Sequence, residues 1–189
     1  MLTLWDVIPR REERAKPAPA QRQRSRSAPS PSANGRVTMR DRYEAMTRIM
    51  LAEHNVRVRK WRSSMSGVAW QVTYADGSVS RLIEAPRPRG PMSAAVFLHE
   101  VGHHAIGFNR YSPRCLEEHM AWMFSLDAMA RFDLNITDAV QRRVRHSMRY
   151  AIGKARRRGI KRIPPELAVY LPRQERVALG LEAADPERA

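Results

Sequence analysis

The stretch Met92-Ser-Ala-Ala-Val-Phe-Leu-His-Glu-Val-Gly-His-His-Ala-Ile106 decides the fold and indicates the chemistry. Its apolar residues occupy nearly every side of a helix, so the spacing predicts a buried helix over residues 92–106 that ends at Gly107. Burying His99, Glu100 and His103 on such a helix is costly unless a partner satisfies them. The two histidines lie one turn apart on one face, where both imidazoles can bind one Zn²⁺ ion. Glu100 flanks that face, where a carboxylate can take a proton from a metal-bound water.

A catalytic zinc usually has three protein ligands and one open position, so a third ligand is expected from the next helix. Ser112 and Pro113 are typical of an N-cap and a first helical position, and they predict a helix that runs to about residue 132. Glu118 lies at about the same depth in this helix as His103 does in the preceding one. We therefore assign the third ligand to Glu118.

Two neighbours of Glu118 remain alternative ligands. Glu117 points about 100° away from it on a helix and is expected to face solvent, and His119 points to the other side. Cys115 is predicted to be a small buried hydrophobe, and His104 to be a surface histidine or one that supports the ligands indirectly. Candidates for stabilising an oxyanion, which the sequence does not rank, are Tyr111, Tyr150 and His146.

The remaining sequence predicts an α+β domain around the His helix. A helix is expected over residues 39–54, followed by strands over 56–61, 68–74 and 78–83, which we interpret as three antiparallel strands. Asp76-Gly77 predicts a hairpin between the last two. Further helices are expected over residues 137–158 and 173–179. The chain is thus divided into a disordered Pro/Ser/Arg-rich arm (1–37), a core (38–135) and a basic helical extension (136–189).

The composition narrows the class of protein. A chain of 189 residues suits one domain with tails, and one cysteine excludes an internal disulfide framework or a multi-cysteine metal cluster. We find no apolar run of the roughly 20 residues that a membrane helix needs, and no signal-peptide pattern. We therefore expect a cytoplasmic protein without a membrane partner.

The net charge of +15 predicts an acidic partner. Residues 142–162 contain ten Lys and Arg and no Asp or Glu, which fits either a solvated helix face or binding to a nucleic-acid backbone. The candidates for contacting nucleic acid, together with the basic arm, are Arg142, Arg143, Arg145, Arg149, Arg156, Arg157 and Arg158.

Two segments carry a family resemblance: Leu98-His-Glu-Val-Gly-His-His104, and Glu118-His-Met-Ala-Trp-Met-Phe124. They resemble the ImmA/IrrE group of bacterial and phage metallopeptidases, whose Glu helix reads roughly E-x-x-A-N-x-F-A; here Trp122 and Ser125 depart from it. The resemblance covers residues 39–132. It implies a zincin-like minimal core, one Zn²⁺ ion held by His99, His103 and Glu118, and Glu100 as general base.

The expected function is hydrolysis of a peptide bond in a cytoplasmic protein substrate, with a possible link to DNA or to the regulation of a phage or mobile element. The substrate peptide would lie extended along an edge strand, either residues 56–61 or residues 79–83. The rival hypothesis is a nucleic-acid-binding or phage structural protein whose zincin-like core is inactive or binds metal only for stability.

Overall fold

The computed structural model describes residues 37–181 of the chain. This part is α+β and belongs to one compact unit. Its elements are, in order, α1 (Met39–Glu53), β1 (Val56–Arg62), β2 (Val68–Thr73), β3 (Val79–Pro86), α2 (Pro91–Ile106), α3 (Arg114–Arg131), α4 (Asp138–Arg157), a 3₁₀ helix (Pro165–Tyr170) and α5 (Arg173–Ala178). The predicted basic arm, except Val37, lies outside the described residues.

The three strands form a mixed sheet in the order β1-β3-β2, so the prediction of three antiparallel strands was wrong. The hairpin was predicted correctly: β2 and β3 are antiparallel and are joined by a turn that contains Asp76 and Gly77. β1, however, pairs with the other side of β3 in parallel. The physical reason is burial. β3 carries the fully buried Ile83 and Ala85, and a central position covers the most apolar strand on both sides.

α2 is the central helix of the fold, as predicted from its apolar surface. Every residue from Ser93 to His104 is buried, and each large side chain such as Phe97 or Leu98 contributes about 1.5–3 kcal/mol on burial. Gly107 ends the helix with φ of 83°, a backbone conformation that favours glycine.

α3 packs antiparallel to α2 as the second arm of a helical hairpin. Its N-cap is Pro113 rather than the predicted Ser112. At Gly102 an added Cβ would lie 2.9 Å from the Ala121 carbonyl oxygen, so the absence of a side chain lets the two helices approach. The Ser125 hydroxyl, fully buried, donates to the Ala95 carbonyl at 2.8 Å and joins them further along.

α4 packs on α3 and α2, so the predicted boundary between residues 135 and 136 falls in a short connection inside the compact unit. Its apolar residues Val140, Val144, Met148 and Ile152 are buried at helical spacing, whereas Tyr150 is exposed. The 3₁₀ helix was not predicted.

Candidate metal centre and its cleft

His99 and His103 on α2 meet Glu118 on α3, the arrangement that the sequence predicted. The Glu118 Oε2 atom lies 3.4 Å from His99 Nε2 and 3.6 Å from His103 Nε2. One ligand atom from each of the three residues lies within 4.8 Å of the others. His99 and His103 are 7% and 4% exposed.

These distances fit a divalent ion. Two ligands that each lie about 2.0–2.1 Å from a tetrahedral zinc are about 3.4 Å apart, close to both measured separations. Burial lowers the pKa of His99, which keeps the ring neutral and its lone pair available. Burial opposes ionisation of Glu118, but the adjacent His103 and His99 rings outweigh it and hold the Glu118 pKa well below its usual value. The donor set can therefore hold a metal ion.

Glu100 lies beside the cluster, 6% exposed. Burial raises its pKa to about 7, which the His103 imidazole opposes and the Glu118 carboxylate reinforces. The carboxylate touches the start of β2: a Cβ added to Gly67 would lie 2.4 Å from Glu100 Cγ and 2.5 Å from its Oε1. Gly67 thus makes room for Glu100. No local pattern predicts this contact, because the two residues meet only through tertiary packing.

Glu117 is buried, so the prediction that it faces solvent was wrong. It is 1% exposed, and its Oε2 accepts a 2.7 Å hydrogen bond from the Asn109 backbone N–H. The connection between α2 and α3 folds over this side of α3 and covers it. The Glu117 Oε1 atom lies 3.8 Å from His103 Nδ1 and 3.4 Å from Arg114 Nη1.

The contact between Glu117 and His103 is suited to orienting a ligand. His103 Nδ1 and Glu117 Oε1 are both buried without a hydrogen-bond partner in the described part of the chain, and they face each other. A metal-binding histidine commonly donates its second ring N–H to a carboxylate, which fixes the ring and makes it a stronger ligand. Glu117 is therefore placed where it could position His103, a placement that the sequence did not predict.

Aromatic rings lie parallel to both histidine rings. Trp122 stacks on His99 with ring centroids 4.2 Å apart and an interplanar angle of 22°, and Phe108 lies parallel to His103 at 6.1 Å.

The other titratable residues near the motif lie outside the cluster. His104 Nε2 is 3.0 Å from the Leu82 carbonyl oxygen, so this buried histidine joins α2 to the sheet. His119 Nδ1 is 3.0 Å from the Tyr170 hydroxyl, on the side of α3 away from the cluster, as predicted. Cys115 is 2% exposed, in agreement with the prediction of a buried residue.

The cluster lies in a cleft of about 1120 Å³. Four parts of the fold line it: residues 66–69 at the start of β2, one face of α2, the beginning of α3, and α4 with residues 158–160. Tyr150 and His146, two of the three oxyanion candidates, line the cleft, whereas Tyr111 is not among the lining residues.

The edge strand beside the cluster is β2, and the sequence-based choice of residues 56–61 or 79–83 was wrong. Residues 79–83 belong to β3, the central strand, which has no free edge. Residues 56–61 belong to β1, the edge on the far side of the sheet, and contribute nothing to the cleft lining.

The arginines proposed as nucleic-acid contacts fall into two groups. Three of them hold other parts of the chain: Arg143 donates to the Met65 carbonyl, Arg149 to the Tyr170 carbonyl, and Arg156 pairs with Glu175 at 2.7 Å. The side chains that are simply exposed are Arg142, Arg145, Arg157 and Arg158.

Searches with this chain against protein-family models, curated proteins and solved structures gave no match. Among residues 37–181, none of the helices combines the length and apolar character needed to cross a bilayer.

Proposed function

We propose that this chain is a zinc-dependent metallopeptidase with a zincin-like core, acting on a protein substrate in the cytoplasm. The observation that carries the proposal is the convergence of His99, His103 and Glu118 with a buried carboxylate, Glu100, beside them in one cleft. Two nitrogens and one oxygen at these separations suit zinc. In the described part of the chain the cluster offers three protein ligands, the number typical of a catalytic site, whereas structural zinc sites usually have four.

Zinc, when bound, supplies Lewis-acid chemistry: it lowers the pKa of a coordinated water and polarises a carbonyl group. Glu100 takes the proton of the attacking water and delivers it to the leaving amine. Its dry environment and its raised pKa suit a group that must hold and release one proton in each cycle.

The substrate is held as an extended strand. The free edge of β2 borders the cleft, and backbone hydrogen bonds to such an edge bind a peptide irrespective of its sequence. Tyr150 and His146 on α4 lie on the lining of the same cleft and are the candidates to donate a hydrogen bond to the oxyanion.

The test compares the zinc-loaded protein with its Glu100→Gln variant, which keeps the size of the side chain and removes the base. Both are incubated with a mixture of peptides from a digested cell extract, and new termini are identified by mass spectrometry. We expect one equivalent of zinc in both and at least about 100-fold slower cleavage by the variant.

Equal cleavage by the two proteins would show that the activity does not come from this site. Absence of any new terminus with the zinc-loaded wild type would favour the rival function, a nucleic-acid-binding or phage structural protein with an inactive core. The exposed arginines of α4 would then be the first place to look for a nucleic-acid contact.

A further inference from the structure

One face of α4 forms a wall of the cleft. The residues of α4 that line it recur every three or four positions, which places them on a single face of the helix. They are Arg143, His146, Ser147, Tyr150, Ala151, Lys154 and Ala155, and Arg158 follows at the end of the helix. We call these eight residues the cleft face of α4. The adjacent face, with Val144 and Met148, is buried in the core.

The cleft face of α4 is positively charged. It carries Arg143, Lys154 and Arg158, and α4 has no acidic residue after Asp138. The acidic residues that line the cleft are Glu118, which belongs to the cluster, and Glu100, which lies beside it. Away from the cluster, the cleft therefore presents basic groups without acidic partners on its lining.

The three basic residues of the cleft face lie at different distances from the cluster along α4. Arg143 is held near the cluster, where it donates to the Met65 carbonyl at 3.0 Å. Lys154 and Arg158 are exposed and lie about 16 and 22 Å further along the helix axis, at 1.5 Å per residue. An extended peptide advances about 3.3 Å per residue, so these two groups lie about five to seven substrate residues from Arg143.

We infer that the cleft selects peptides with acidic side chains, which pair with Lys154 and Arg158 on the cleft face of α4. This inference names a substrate class for the metallopeptidase proposed above and rests on that function. The edge of β2 across the cleft favours a peptide over a nucleic acid, because its backbone groups hydrogen-bond to an extended polypeptide. Specificity then comes from charge on one wall, and general affinity from the strand edge on the other.

Binding is measured on the full-length, zinc-loaded Glu100→Gln protein, so that peptides are not consumed. Three fluorescein-labelled decapeptides share one sequence but carry Glu, Gln or Lys at alternate positions, and their Kd values are read by fluorescence anisotropy at low and moderate salt. The test variant is Lys154→Glu with Arg158→Glu. The matched control is Lys60→Glu with Arg57→Glu, an exposed lysine and arginine on β1 outside the cleft lining.

We expect the Glu peptide to bind at least fivefold more tightly than the Gln peptide, with a preference that falls as salt rises. The cleft pair of substitutions is expected to weaken binding of the Glu peptide about tenfold, and the β1 pair less than twofold. Equal affinity for the Glu and Gln peptides, or equal weakening by both pairs of substitutions, overturns the inference.

A single-stranded 20-nucleotide DNA serves as the competing ligand. If it binds through Lys154 and Arg158 while the Glu peptide shows no advantage, the cleft face of α4 is a nucleic-acid surface and the inference is wrong. The two proposals fail separately. If the protein binds acidic peptides selectively but the zinc-loaded wild type cleaves nothing, the proposed peptidase function is wrong and the preference for acidic peptides stands. If the wild type cleaves peptides without preferring Glu, the peptidase function stands and the inferred preference is wrong.

Discussion

Replacing Gly67 with alanine should disable catalysis while leaving the fold and the metal ligands in place. The new Cβ would lie 2.4 Å from Glu100 Cγ and 2.5 Å from its Oε1. Carbon atoms that are not bonded to each other rest about 3.5–4.0 Å apart, so the Glu100 side chain must retreat by about 1 Å or more. The Glu100 side chain can move aside by rotating about its bonds. Gly67 does not have a positive φ, so alanine adds no backbone strain at this position.

The expected loss follows from that displacement. A shift of about 1 Å in a catalytic group costs about 100-fold in rate, because the reacting atoms leave their productive geometry. The assay follows cleavage of a peptide that the wild type hydrolyses, with zinc content measured by atomic emission and Tm by circular dichroism. We expect zinc content equal to that of the wild type and kcat/KM about 100-fold lower.

The matched control is Gly153→Ala on α4, where the added Cβ meets nothing closer than 3.5 Å. This change should leave cleavage unaltered and stabilise the fold by about 0.5–1 kcal/mol, because alanine is the better helix former. Full activity in Gly67→Ala would refute the reasoning, since it would mean that Glu100 does not need the position that the glycine permits. A loss of zinc in the same variant would also contradict it.

Two further substitutions test how the ligands are held. Gly102→Ala places a Cβ 2.9 Å from the Ala121 carbonyl oxygen. Overpacking of this kind lowers the free energy of unfolding by about 1–3 kcal/mol, which chemical denaturation should show. Zinc binding should also weaken, because the proposed ligands lie on both helices. Glu117→Gln removes the carboxylate that faces His103 Nδ1. A competition with a chelator should show zinc binding weakened about 10–100-fold. An unchanged zinc affinity would mean that Glu117 contributes only to packing.

The sequence predicted the convergence of His99, His103 and Glu118 because it follows from local periodicity. His99 and His103 share a helix face by spacing alone, and the short connection to α3 constrains the level of Glu118. The helix limits were predicted within a few residues for the same reason: the recurrence of apolar residues at helical spacing along α1 and the unbroken apolar character of α2 are local properties of the sequence.

The sequence-based predictions were wrong where the structure depends on packing between segments that are distant in the sequence. The strand patterns showed that three strands exist, but the place of β3 between β1 and β2 depends on what covers its apolar residues. The burial of Glu117 depends on the chain that folds over α3, and that chain has no periodic pattern to predict it. The role of α4 as a cleft wall has the same origin, because the run of arginines carries no information about which of them face the metal ligands.

The most direct test of the account is the zinc-edge X-ray absorption spectrum of the full chain loaded with one equivalent of zinc. We predict two imidazole nitrogens and oxygen ligands at about 2.0–2.1 Å, with a changed spectrum in Glu118→Ala. A sulfur ligand at about 2.3 Å, which would have to come from Cys115, or a spectrum that Glu118→Ala leaves unchanged would contradict the proposed centre.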